Sequence, residues 1–195
     1  MPINRRRLVS FAWPALVVPV FATACSSSPE PVLYTIPVKP GPSLARAPKV
    51  VQLRDIGLAS YLDRREIVRS SEGYKLGLAS NQWWGESLGT MLNRVIVVGL
   101  SERLPDSTVY GEGGAISADP NAIVAVNIQR LDVDQSGNLQ LLAQAAIEFN
   151  RPKRSAARTF RIVKPVTTKD VAGQVAAIAD AVAELTDGLA ALLQA

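Results

Sequence analysis

Residues 122–149 read AIVAVNIQRLDVDQSGNLQLLAQAAIEF, and their reading decides the fold. In the second half, Leu139, Leu141, Ala143, Ala145, Ile147 and Phe149 recur at every other position. That is the period of a strand with one buried face. The first half opens on Ala122-Ile123-Val124-Ala125-Val126 and runs to about Val133. A continuous apolar run of this kind predicts a strand buried on both faces. Between them, Gln135-Ser136-Gly137-Asn138 has the composition of a turn. The stretch therefore predicts a long hairpin. Its turn also matches the first half of a calcium loop: Asp132, Asp134, Ser136 and Asn138, with Gly137 at the sixth position. The twelfth position, which needs a bidentate Glu, is Ala143, so a turn is the better reading.

After the hairpin, Ala157 to Val163 reads as another strand, and the chain closes on a helix from about Lys169 to Leu193. Val171, Val175, Ile178, Val182, Leu185, Leu189 and Leu192 are spaced alternately by four and three. The seam is flanked by alanines instead of charges, which suits packing onto a sheet better than a coiled coil. Thr167 with Asp170 three residues later forms a capping pattern at its start.

Upstream, strands are expected at Val32 to Ile36, at Lys49 to Leu58 and at Ser107 to Gly111. A hairpin pairs Glu66–Ser70 with Tyr74–Ala79 around Ser71-Glu72-Gly73, and Tyr74, Leu76 and Leu78 alternate onto one face. A long helix is expected over Gln82–Leu104, capped by Asn81 and stopped by Pro105. Trp84, Leu88, Leu92, Val95 and Gly99 form its inward stripe, leaving Trp83 at the rim. Together these elements predict an α/β fold: a mixed β-sheet sandwiched by two long helices, in one compact domain over residues 49–195.

The segment before that domain is an address. Arg5-Arg6-Arg7, an apolar stretch from Leu8 to Phe21 and the small residues Ala22-Thr23-Ala24 lay out a signal peptide over residues 1–24. The arginine run is only loosely like a twin-arginine signal. Cys25, the only cysteine, stands where a lipidated residue would, and Ser26 follows it as in lipoproteins sorted to the outer membrane. Two or three acyl chains on Cys25 anchor a protein firmly, whereas one is marginal. Residues 25–48 hold six of the 13 prolines and read as a tether with one short edge strand inside it.

Composition removes several kinds of chemistry. The 195 residues include no His and one Cys. Loss of histidine takes away the usual general base and metal ligand, and a lone Cys builds neither a disulfide framework nor a zinc cage. Gly111-Glu112-Gly113-Gly114 fails phosphate-loop spacing because Ile116 stands where the third glycine belongs. The expectation is a non-enzyme with no cofactor, no metal and no nucleic-acid role. Removing residues 1–24 leaves 18 basic against 17 acidic residues, yet Arg151, Lys153, Arg154, Arg158 and Arg161 lie in one acid-free stretch. They are candidates for contact with anionic lipid headgroups. Tyr61, Leu62, Asp63 and Arg64, with Trp83, are candidates for partner docking.

Three motifs carry a family resemblance: Leu33-Tyr34-Thr35-Ile36 soon after the cysteine, Tyr61-Leu62-Asp63-Arg64 followed by Ile67-Val68, and Trp84-x-Glu86-x-Leu88 leading to Asn93-Arg94. In this order they resemble the ABC-type transport auxiliary lipoproteins of the PqiC/YmbA group. This chain departs from the family in carrying Arg65 where a Pro usually follows the Asp-Arg pair. The resemblance implies a non-catalytic lipoprotein held in the outer membrane through Cys25 and facing the periplasm. Its partners would be an MCE-domain protein and ABC transporter subunits, moving phospholipids or related lipids between membranes, and some relatives form homo-oligomeric rings. The alternatives are a periplasmic lipid-binding carrier and a barrel-associated assembly factor.

Overall fold

The computed structural model describes residues 29–116 and 118–194. Cys25 and the signal segment fall outside them.

The 122–149 hairpin forms as expected and makes the centre of the larger of two sheets. The strands in chain order are β1 (Val32–Tyr34), β2 (Val50–Leu53), β3 (Gly57–Leu58), β4 (Glu66–Ser70), β5 (Gly77–Trp84), β6 (Thr108–Gly111), β7 (Ala122–Val133), β8 (Asn138–Asn150) and β9 (Lys153–Pro165). The helices are α1 (Leu88–Arg103) and α2 (Val171–Gln194). The six-stranded sheet runs β6-β2-β7-β8-β9, with β3 also on β7; the three-stranded sheet runs β1-β5-β4. β7, β8 and β9 are antiparallel, while β2 and β3 both run parallel to β7. Gly137, at φ 80°, closes the β7–β8 turn in the left-handed region that favours glycine.

Burial corrects the reading of β7. Ala122, Val124, Val126 and Ile128 are buried, but Ile123 and Ala125 only partly so, and Asn127 is exposed. The helices pack against each other, α2 along β8 and β9 and α1 beside β6. Both therefore share one face of the large sheet instead of enclosing it. The other face, with Asn127, Gln144 and Glu148, is open to solvent. The mixed α/β class and the single domain are as expected.

The start of α1 differs from the sequence reading. Residues 82–84 belong to β5, and Asn81 (φ 56°) is a kinked strand residue whose side-chain amide donates to the Glu30 carbonyl at 2.8 Å. Ser87 caps the helix by accepting from the Thr90 N–H. The cause is β1, which pairs in parallel with β5 and holds both tryptophans extended. Leu88, Leu92, Val95 and Gly99 are the inward stripe, and Trp84 joins the same core from the strand. In α2, Asp170 is the cap: its Oδ1 accepts from the Gly173 N–H at 2.8 Å.

The proline-rich segment is a tether only in part. Ile36 is 1% exposed and its N–H donates to the Met91 sulfur at 3.3 Å. Lys39 pairs with Asp180, and the Leu44 N–H donates to the Arg103 carbonyl at 2.6 Å. Residues 36–47 thus form a strap across α1 and α2, adding Val38, Leu44 and Ala47 to the core.

Candidate functional site

Tyr61 to Arg65 follows β3 and turns toward β4. Tyr61 and Leu62, both candidates for docking, are committed inward. Leu62 is 1% exposed and belongs to the core. The Tyr61 hydroxyl donates to Asp132 Oδ2 at 2.9 Å. The same oxygen accepts from Ser71 Oγ at 2.6 Å, and Oδ1 accepts from Arg130 Nε at 2.9 Å. Asp132 has no exposed surface, so these donors satisfy a carboxylate taken out of water. Burial and the neighbouring carboxylate push the Tyr61 hydroxyl up to about 12.

What reaches solvent is Asp63, Arg64 and Arg65. Arg64 Nε donates to the Tyr61 carbonyl at 2.8 Å, which fixes the turn. Arg65 lies over the Trp83 ring, 4.4 Å from its centroid. Trp83 is half-buried and in register with Leu33 of β1, which is 62% exposed. A proline at 65 would have no cation to place on that ring, so the departure from the family pattern is a positive contact here. Leu33 was not among the sequence candidates; for Arg65 the Pro-to-Arg change was the available signal.

Leu33, Asp63, Arg64 and Arg65 edge a groove of about 440 Å³ that includes Trp84, Gly85, Glu86 and Ser87. A second groove of about 760 Å³ shares Asp63 and Ser87 with it and continues along α1 past Thr90, Asn93 and Val98. Glu86 and Arg94 form an ion pair at 2.5 Å across the join. Acids, arginines and an indole around a shallow concavity make a surface of the kind that protein interfaces use at their rims.

The basic candidates do not form one patch. Arg151 lies in the β8–β9 turn and the others along β9, an edge strand of the large sheet. Along β9, Lys153 and Arg161 stand eight residues apart, about 26 Å. Alternation places Arg154 and Arg158 on the face of Phe160 and Ile162, and Lys153 and Arg161 on the other. Arg154 stacks on Phe149 at 3.6 Å and Arg158 on Phe160 at 5.1 Å. Charges along an exposed edge discourage pairing with stray strands. Among the described residues, no three His, Cys, Asp or Glu side chains gather in a way that could hold a metal ion, and no helix is long and apolar enough to cross a membrane.

The fold and this rim define a small α/β domain whose candidate site is an open surface and not an enclosed chamber. The family model for the ABC-type transport auxiliary lipoprotein component matches residues 34–190, and the chain belongs to that family. Membership makes it a membrane-anchored envelope lipoprotein associated with ABC-type transport. No curated protein matches it significantly. Among solved structures, an uncharacterized protein superposes with TM-score 0.71 at 15% identity, covering 84% of this chain and 98% of that one. A Xanthomonas campestris protein of the DUF330 family gives 0.69 at 19%, covering 84% and 95%. A PelC dodecamer from Paraburkholderia phytofirmans gives 0.45 at 13%, covering 83% and 99%. The first two share the fold.

Proposed function

We propose that the protein is the non-catalytic, outer-membrane docking subunit of an ABC/MCE-type system that moves phospholipids or related lipids between membranes. Lipidated Cys25 is its anchor, and it faces the periplasm. Its partners are an MCE-domain protein and the ABC subunits of the same system. The observation that carries the docking role is the rim of Asp63, Arg64 and Arg65 with Trp83. In the small sheet Trp83 stands between Leu33 of β1 and Glu66 of β4, so the rim is carried by all three strands.

The test is capture of the full-length lipoprotein from detergent-solubilised envelopes, with bound proteins identified by mass spectrometry. An MCE-domain protein with its ABC subunits should be recovered, and less of both with an Asp63→Arg, Arg65→Ser variant. Both residues are exposed, so the melting temperature should move little. Recovery of a β-barrel protein alone would favour an assembly factor, and recovery of neither class would overturn the reading.

A further inference from the structure

We infer that the β4–β5 hairpin is a second, non-covalent contact with the bilayer that holds the anchor; this rests on the reading of Cys25 as lipidated. Tyr74, Leu76 and Leu78 are exposed to 108%, 36% and 40%. Three large apolar side chains in five residues on one hairpin are more than the scattered surface apolars of an ordinary domain. They are not the product of a dangling loop. Ser71 Oγ donates to Asp132, and Glu72 accepts from Arg130 Nη2 at 2.8 Å and from the Gln135 N–H at 3.0 Å. The hairpin tip is pinned to the large sheet, and its apolar residues are still presented to solvent.

The backbone points the same way. Gly73 and Tyr74 have φ of 65° and 60°, two successive left-handed residues as a type I′ turn demands. Glycine suits that position and an aromatic residue does not. Tyr74 therefore takes an unfavourable backbone conformation while packing against nothing in its own domain. An amphipathic ring beside the exposed Lys75 is the pairing found at the headgroup level of membranes.

The tether selects a lipid surface as the occupant. Glu30 is fixed to Asn81 by the 2.8 Å hydrogen bond. Because β1 runs parallel to β5, the chain enters β1 from the side of β5 that carries Leu78. Pro29 is four residues from Cys25, so the two are at most about 14 Å apart. From Asn81 to Leu78 is a further three residues of strand, about 10 Å. An acylated Cys25 thus holds the bilayer surface within reach of the exposed stripe.

The test uses the full-length, acylated protein. Acylation consumes the Cys25 thiol, so Tyr74→Cys supplies the sole free thiol for an environment-sensitive fluorophore. Arg151→Cys, in the turn at the far end of β8, supplies the control. Both are reconstituted into phosphatidylethanolamine/phosphatidylglycerol vesicles, with or without a lipid carrying a nitroxide on its acyl chain. The label at 74 should shift to the blue and lose more than half its emission to the nitroxide, while the label at 151 stays in water. Flotation with the vesicles but a water-exposed label at 74 overturns this contact alone. Failure to float overturns the anchor and the contact together. A label at 74 that is shielded in the vesicles but loses no emission to the nitroxide assigns the stripe to a second copy of the chain and also overturns it.

Discussion

Gly41 lies directly against the guanidinium of Arg103, so that a Cβ on residue 41 would overlap Cζ, Nε and Nη2. Arg103 is 1% exposed at the end of α1 and ties three elements together. Its Nε donates to Asp187 Oδ1 at 2.5 Å, Nη1 to the carbonyls of Gly99 at 3.0 Å and Lys39 at 3.3 Å, and Nη2 to that of Ala183 at 3.3 Å. Strap, first helix and second helix meet at one cation. Gly41→Ala should destabilise the domain by about 1–3 kcal/mol through overpacking. In an Arg103→Ala background the same substitution should cost much less, because the atoms it strikes are gone. Urea unfolding of the four proteins in this cycle measures the coupling. Additive effects would show that the strap does not depend on the guanidinium.

Helix α1 offers a second test, because the two candidate capping residues, Ser87 and Asn81, make different predictions. Ser87→Ala removes the acceptor for the Thr90 N–H and should cost about 1 kcal/mol. Asn81→Gly should cost less, since its left-handed backbone suits glycine and it caps no helix. Equal losses in a chemical denaturation series would restore the earlier start of the helix.

The misreading of that start shows what the sequence carries and what it does not. Trp84 stands four residues before Leu88, the spacing of a helical stripe, so local periodicity extends the helix backward. What keeps residues 82–84 extended is β1, fifty positions earlier, and no local pattern announces a partner at that separation. The β8 face and the α2 seam were legible because their order lies in adjacent residues facing one core. The docking candidates divide on the same principle. Asp63, Arg64 and Trp83 reach the surface, whereas Tyr61 turns to a buried carboxylate 71 residues away, a contact no composition rule exposes.

The cap of α2 makes its stability acid-sensitive. The Thr168 hydroxyl and then the Gly173 N–H hold the Asp170 carboxyl below its usual 3.8. A folded-state value below the unfolded one contributes stability that is present above the unfolded value and lost as the pH falls through the folded one. Asp170→Ala should lower the melting temperature at neutral pH. Asp170→Asn keeps a capping acceptor but removes the titration, so it should lose less stability than the native chain as the pH falls below about 4. Melting curves across that range decide the matter. Identical acid sensitivity in the native protein and the Asp170→Asn variant would place the titrating group elsewhere.

Tyr61 makes the opposite prediction at alkaline pH. Its hydroxyl is raised from 10.0 to about 12 by burial first and by its bond to Asp132 second. The unfolded chain therefore gives up that proton at lower pH than the native one, and native stability must fall as the pH rises from about 10 to about 12. Tyr61→Phe has no such proton. It should start less stable at neutral pH, having withdrawn one donor from a carboxylate with no exposed surface. Its stability should then depend less on pH through the alkaline window, so the two curves converge. Because Asp132 keeps Ser71 and Arg130, the Phe variant should still fold, which allows unfolding to be followed at each pH. Curves that stay parallel would mean that the hydroxyl faces solvent and is free for a partner after all.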